Sequence, residues 1–222
     1  MIPKIIHYCW FGPRPFPKKA KLCLDSWKKY LPDYEVMFWN ESNAPINHPF
    51  TKAALEAKKY AFVADYVRTW ALYTYGGIYM DTDMLIIRNI DELLSNQVFL
   101  AYEEPDKGYI SVGIWGSIQH SSFIKKVLYF YDTHPFDVGN VFACTIPRIV
   151  TEVYKSYSQQ QEITLLDYDS FYPFPGTKRR QSNYLDYVTP NTYGVHLWDF
   201  SWLTKKERMI EHIRMFMRWL KK

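Results

Sequence analysis

The hydrophobic positions change period along the first half of the chain, and each change marks an element. Residues 5–11 (IIHYCWF) form a short apolar run stopped by Gly12-Pro13, the mark of a buried strand. In residues 18–30 the apolar positions Ala20, Leu24 and Trp27 fall at helical spacing, and residues 35–39 (EVMFW), after a Pro32-Asp33 turn, read as a second strand. Strand, helix, strand predicts a parallel α/β unit, whose ligands sit beyond the carboxyl ends of the strands. Trp10, at the exit of the first strand, falls on that edge.

The stretch 60–84 (YAFVADYVRTWALYTYGGIYMDTDM) switches period in its middle. Val63, Val67, Trp70 and Ala71 supply a helical apolar stripe, so Asp65 and Arg68, three apart, can project from one helix face. Gly76-Gly77 is expected to end that helix. Ile78-Tyr79-Met80 then reads as a buried strand, and alternation at its end would turn Asp81 and Asp83 to the same side. Two carboxylates converging there suit a divalent metal.

Downstream, residues 98–102 and 109–117 read as strands, and 121–132 as a helix with a serine cap. Residues 142–157 read as helical despite Pro147. Residues 168–193 have no clear period and read as an irregular region with short strands. Residues 203–220 predict a last helix, apolar at Ile210, Ile213, Phe216, Met217 and Leu220 and basic at Lys205, Lys206, Arg208, Arg214 and Arg218. With no repeat or linker, a single domain over 1–222 is expected.

Composition narrows the possibilities. At 222 residues and 48% hydrophobic the chain can fill a substantial core. A net charge of +4 is too small for a general nucleic-acid platform. Cys9, Cys23 and Cys144 lack paired spacing, which argues against a disulfide framework or zinc knuckle and for a reducing, cytoplasmic setting. The first residues show no secretory pattern, and no window approaches the roughly 20 apolar residues of a spanning helix. Aromatic residues make up 18%, a share that serves cores and sugar- or base-stacking surfaces alike.

Spacing alone does not single out the carboxylate pair, because Asp167-Tyr168-Asp169 repeats it after the apolar run 163–166. Context separates the two: only the first triplet follows Gly-Gly and a helix bearing Asp65 and Arg68. That arrangement, with the blocks 2–12 (IPKIIHYCWFG) and 191–202 (NTYGVHLWDFSW), resembles glycosyltransferase family 32, whose members carry a DxD sugar-binding motif and include mannosyltransferase-like and capsular polysaccharide enzymes. The family is similar to the catalytic domain of the large glucosylating toxins. The resemblance implies a GT-A type fold, a Rossmann-like mixed sheet flanked by helices, a nucleotide-diphosphate sugar donor (a UDP-hexose ahead of GDP-mannose), Mn2+ or Mg2+, a glycan or lipid-linked acceptor, and transfer with retention.

By the same resemblance Asp81 and Asp83 bind metal and nucleotide sugar, Asp65 and Arg68 contact the donor, Trp10 lies against the base, His196 is a further metal ligand, and Trp202 reaches the leaving phosphate. Each has a plainer reading. Asp65 and Arg68 could be an ordinary intrahelical ion pair, Trp10 and Trp202 core residues, and His196 a structural histidine, the more so because the family often has a second histidine where Leu197 stands. His7, Asp167 and Asp169 are assigned structural roles. The last helix could rest on an anionic membrane or simply pack. Two other functions share parts of the pattern: a metal-dependent nucleotide-sugar hydrolase and a non-catalytic carbohydrate-binding module.

Overall fold

A computed structural model describes residues 1–199. Trp202 and the predicted helix 203–220 lie outside the described residues. The chain opens with β1 (Ile5–Cys9), α1 (Lys18–Tyr30) and β2 (Glu35–Trp39), then α2 (Pro49–Glu56), α3 (Tyr60–Tyr75), β3 (Gly77–Met80) and β4 (Met84–Ile86). It continues through β5 (Val98–Tyr102), β6 (Ile110–Ser117), α4 (Ser122–Thr133), α5 (Ile146–Ser156), β7 (Ile163–Leu166) and β8 (Gly194–His196). Six strands form a mixed sheet in the order β2-β1-β3-β6-β5-β7, and β4 and β8 form a separate two-stranded ladder.

The predicted parallel unit is present: β1 lies parallel to both β2 and β3, with His7 opposite Tyr79. β6 then runs antiparallel between β3 and β5, which makes the sheet mixed. The central strands feed two cores, Tyr79, Val112 and Trp115 packing under the α2–α5 layer and Ile78, Met80 and Ile114 on the face that α1 covers; a register shift in the β5–β6 pairing interrupts alternation between Val112 and Ile114.

Three sequence expectations are corrected. Ser121 precedes α4 but makes no side-chain capping bond. Residues 168–193 hold no strand: they form three short 3-10 turns, Tyr168–Ser170, Gly176–Lys178 and Tyr184–Tyr187, because Asn and Asp there make local side-chain bonds and Pro lacks the N–H a ladder needs. Helicity across 142–157 is split, with a 3-10 turn at Val141–Cys144 and α5 starting at Ile146, so that Pro147 occupies the first turn, where a missing N–H costs nothing.

The glycine pair does what the sequence asked of it. Gly76 caps α3, its N–H bonding the Leu72 carbonyl at 2.9 Å, and both Gly76 (φ 67°) and Gly77 (φ 104°) adopt left-handed backbone. A side chain on Gly77 would press on the Ile5 carbonyl of β1 at 2.6 Å. This tight passage lets α3 end and β3 begin at once, so the helix-borne and strand-borne groups stay close. Buried His7 supports the passage from β1, donating from Nε2 to the Gly76 carbonyl (2.8 Å) and accepting at Nδ1 from the Trp39 indole (3.2 Å). Burial holds its pKa down at about 4, against the Gly76 bond, so it is neutral.

Candidate active site

The site assembles at the carboxyl ends of β1 and β3. Arg68, 6% exposed on α3, joins the two parts of the central stretch: Nη2 lies 3.1 Å from Asp65 Oδ1 and 3.2 Å from Asp81 Oδ1. Nη1 donates to the Val112 carbonyl at 3.0 Å and to Asp81 Oδ2 at 3.4 Å, and Nε to the Ala64 carbonyl at 3.4 Å. The guanidinium stacks 4.2 Å from the Tyr79 ring, whose hydroxyl donates to Asp81 Oδ1 at 2.9 Å. Asp65 and Arg68 do form the i, i+3 pair of the plainer reading. It is buried, however, and it extends to Asp81.

Asp81 and Asp83 converge through a turn rather than through strand alternation, because β3 ends at Met80. The Met84 N–H closes the turn on the Asp81 carbonyl at 2.9 Å, and the Asp81 N–H is tied to the Gly113 carbonyl of β6 at 2.7 Å. β4 then pairs antiparallel with β8, with Met84 opposite His196. α1 fixes β4 from behind, the Trp27 indole donating to the Met84 carbonyl (2.7 Å) and Ser26 Oγ accepting the Ile86 N–H (3.0 Å).

That ladder delivers His196. Its Nε2 lies 3.1 Å from Asp83 Oδ1, while Asp83 Oδ2 accepts the Asp199 N–H at 2.7 Å. Burial would raise the Asp83 carboxyl, but charge and hydrogen bonding from His196 and the Asp199 N–H more than offset this and hold it at about 2. Burial lowers the His196 pKa, but the charge and hydrogen bond of Asp83, together with the charges of Asp81 and Glu103, more than offset this, so the net shift is upward. Burial raises Asp81 despite Arg68 beside it, and lifts Asp65 to about 7 against the same cation. The Ile146 N–H at the start of α5 also works against that rise at Asp65.

One ligand atom each from Asp81, Asp83 and His196 falls within 4.8 Å of the others. Two hard carboxylates and an imidazole fit a divalent ion. Two further observations agree with the fit: His196 is buried with Nδ1 lacking a partner among the described residues, and the wall of β6 beside the cluster is a glycine, Gly113.

Trp10 sits half-buried at the exit of β1, one strand from Asp81. Its indole donates to the Arg14 carbonyl (2.6 Å) and its ring stacks on Phe16 with centroids 4.7 Å apart. The second Asp-x-Asp triplet is elsewhere and structural: exposed Asp167 pairs with Lys107 at 2.8 Å, and Asp169 accepts from Thr189 and Asn191. Sequence reasoning missed Tyr79, Tyr172 and Gly113 at the site. Tyr79 stood between the glycines and the triplet and could have been weighed; Gly113, a glycine inside a predicted strand, signalled only that something approaches there, and Tyr172 carries no local signal.

Residues 17–100 match the family described as the glycosyltransferase sugar-binding region containing a DXD motif. Over these residues the chain is similar to the DXD-motif glycosyltransferases. It is 28% identical over 217 residues to a mannosyl phosphorylinositol ceramide synthase of Saccharomyces cerevisiae, covering 92% of this chain and 51% of that protein. It is 30% identical over 135 residues to inositol phosphoceramide mannosyltransferase 3 of Schizosaccharomyces pombe, covering 57% of this chain and 36% of that protein. The chain thus spans about half or less of these curated relatives. Among solved structures, PaToxG glycosyltransferase superposes with a TM-score of 0.59 at 18% identity, over 72% of this chain and 73% of that one. Mouse xyloside xylosyltransferase 1 in its apo form superposes with a TM-score of 0.55 at 11% identity, over 86% of this chain and 96% of that one. The fold is of the GT-A type, as the resemblance implied.

Proposed function

We propose that the chain transfers a hexose from a nucleotide-diphosphate sugar to a glycan or lipid-linked glycan acceptor, with retention at the anomeric carbon. The observation that carries this reading is the junction of the Asp81, Asp83 and His196 cluster with the buried Asp65–Arg68–Asp81 bridge. A carbohydrate-binding module has no use for such a junction. Mn2+ or Mg2+ bound there would neutralise charge on the departing nucleoside diphosphate.

In this reading Asp83 and His196 bind the ion and Asp81 is shared between ion and donor. Asp65 accepts hydrogen bonds from sugar hydroxyls. Arg68 directs its N–H groups at protein acceptors, so it works by holding Asp65 and Asp81 in register rather than by gripping the donor. Trp10 offers a ring for the base, an interaction worth about 1 to 3 kcal/mol. Because Asp65 is buried and paired with Arg68, it is a poor protein nucleophile, which favours departure and attack on one face of the sugar. Accumulation of a covalent glycosyl-enzyme would contradict that route.

A UDP-hexose is the proposed donor. The mannosyl names of the yeast relatives make GDP-mannose the second to try, and the ceramide in those names favours a lipid-linked acceptor. No helix among the described residues is long and apolar enough to cross a membrane. Residues 203–220 are proposed to rest on a cytoplasmic membrane face where such acceptors lie. Incubation of each nucleotide sugar with Mn2+, with and without a glycolipid acceptor, tests the reaction. Transfer is expected to release nucleotide in proportion to acceptor; release of free sugar at the same rate without acceptor would make the chain a nucleotide-sugar hydrolase instead.

A further inference from the structure

Glycine in the interior of a strand weakens it by roughly 0.5–1 kcal/mol and commonly marks the close approach of something else. β6 carries two, and they differ in what crowds them. At Gly116 an added methyl group would overlap the Phe99 ring, so that glycine exists for packing. At Gly113 the same methyl would stand 3.1 Å from Asp81 Oδ2, 3.2 Å from the Tyr172 hydroxyl and 3.4 Å from His196 Nε2. Its backbone is not left-handed, so conformation does not demand glycine there. Two of its three neighbours belong to the Asp81, Asp83 and His196 cluster. The third, Tyr172, is fully buried, is held by the Ile114 N–H at 3.1 Å, and packs edge-on to the His196 ring with centroids 5.6 Å apart.

We propose that Gly113 is a size-determining position, the bare floor of the donor site, kept without a side chain so that a divalent ion and its diphosphate can settle between Asp81 Oδ2 and His196 Nε2. This rests on the metal-assisted donor reading given above. The Gly113 carbonyl also accepts the Asp81 N–H, and that bond is made by backbone alone. Alanine at 113 therefore keeps the anchor and fills the space, its methyl pressing on Asp81 and Tyr172 by a few tenths of an ångström.

The test compares Gly113→Ala with Gly116→Ala, reading Mn2+ binding by electron paramagnetic resonance and folding by thermal melting. Gly113→Ala is expected to melt within about 3 °C of wild type and to bind Mn2+ about 10- to 100-fold more weakly. Gly116→Ala is expected to show the reverse, a lowered melting temperature and Mn2+ affinity unchanged in the fraction that folds. Wild-type Mn2+ affinity in folded Gly113→Ala would overturn the proposal. If the single variant does not fold, Gly113→Ala with Tyr172→Phe removes the hydroxyl the methyl would press on. That double variant should fold and bind Mn2+ weakly; normal binding, or a second failure to fold, makes Gly113 a packing glycine and overturns the proposal. A wild-type protein that binds no Mn2+ even with UDP-hexose present would instead overturn the donor-site reading beneath it.

Discussion

The chain contains the same triplet twice, and the two copies meet opposite fates. Asp81-Thr82-Asp83 and Asp167-Tyr168-Asp169 both follow a strand, β3 and β7 respectively. The first copy meets a buried arginine, a tyrosine hydroxyl and a histidine. The second stays near solvent, where Asp167 pairs with a lysine and Asp169 braces the turn at 189–192. What separates them is the company each strand end keeps. β3 is central, with α3 on one side and the β4–β8 ladder beyond it; among the described residues β7 is an edge strand with no neighbour on its far side.

The sharpest way to break this comparison is to neutralise one carboxylate in each copy. Asp83→Asn is expected to lower turnover about 100-fold or more, since it removes a carboxylate that would hold the ion neutralising the leaving group, while Asp169→Asn should turn over as wild type does. Steady-state assays at saturating donor check both.

Arg68→Ala comes next. Removing a buried cation strands Asp65 and Asp81 without a partner, which should cost about 3–5 kcal/mol of stability as well as most of the activity. The burial of Arg68 is what makes that cost larger than an exposed intrahelical pair would carry. Urea unfolding of Arg68→Ala beside Lys107→Ala, which breaks the exposed ion pair of the second copy, gives the contrast directly.

A third handle is pH. His7 supports the glycine passage that only the first copy has. Its pKa is about 4 when folded, against about 6.5 unfolded, so the unfolded chain binds more protons between those values and His7 costs stability as pH falls from 6.5 towards 4. A His7→Gln variant lacks that penalty. The stability of wild type relative to it should fall by on the order of 3 kcal/mol across this window; a constant difference would mean that His7 is charged or exposed.

Tyr79→Phe keeps the ring under Arg68 and removes the bond to Asp81, a loss of about 1.5 to 3 kcal/mol. Donor KM is expected to rise more than kcat falls, because the change loosens a ligand-holding carboxylate without removing it. Lys107→Ala and Asp167→Asn should be the smallest effects, with melting and turnover unchanged, as is usual for exposed ion pairs.

The legible parts of this molecule are those whose own sequence carries the cause. α1 and β2 run at Lys18–Tyr30 and Glu35–Trp39 as expected, because periodicity and flanking turns decided them locally. Gly76-Gly77 and the Asp65–Arg68 pair were equally local. β4 and β8, three residues each, have no period to read, and they exist only because α1 and a partner distant in sequence hold them. Convergence of Asp81 with Asp83 was foreseen but its cause was not, since a turn bonded to Gly113 replaced alternation. The space at Gly113 depends on Tyr172 and His196, far along the chain, so a glycine within the strand announces a close approach but not what approaches.

The most direct test of the donor site is thermal stabilisation by UDP-hexose with Mn2+, measured on wild type, Asp83→Asn and Asp169→Asn. A ligand held only by the native state raises its stability by mass action. Wild type and Asp169→Asn should gain melting temperature with donor and Mn2+ together, and Asp83→Asn should gain none. Equal stabilisation of all three proteins would contradict the account, because the two triplets would then be equivalent and the surroundings of the first would confer nothing.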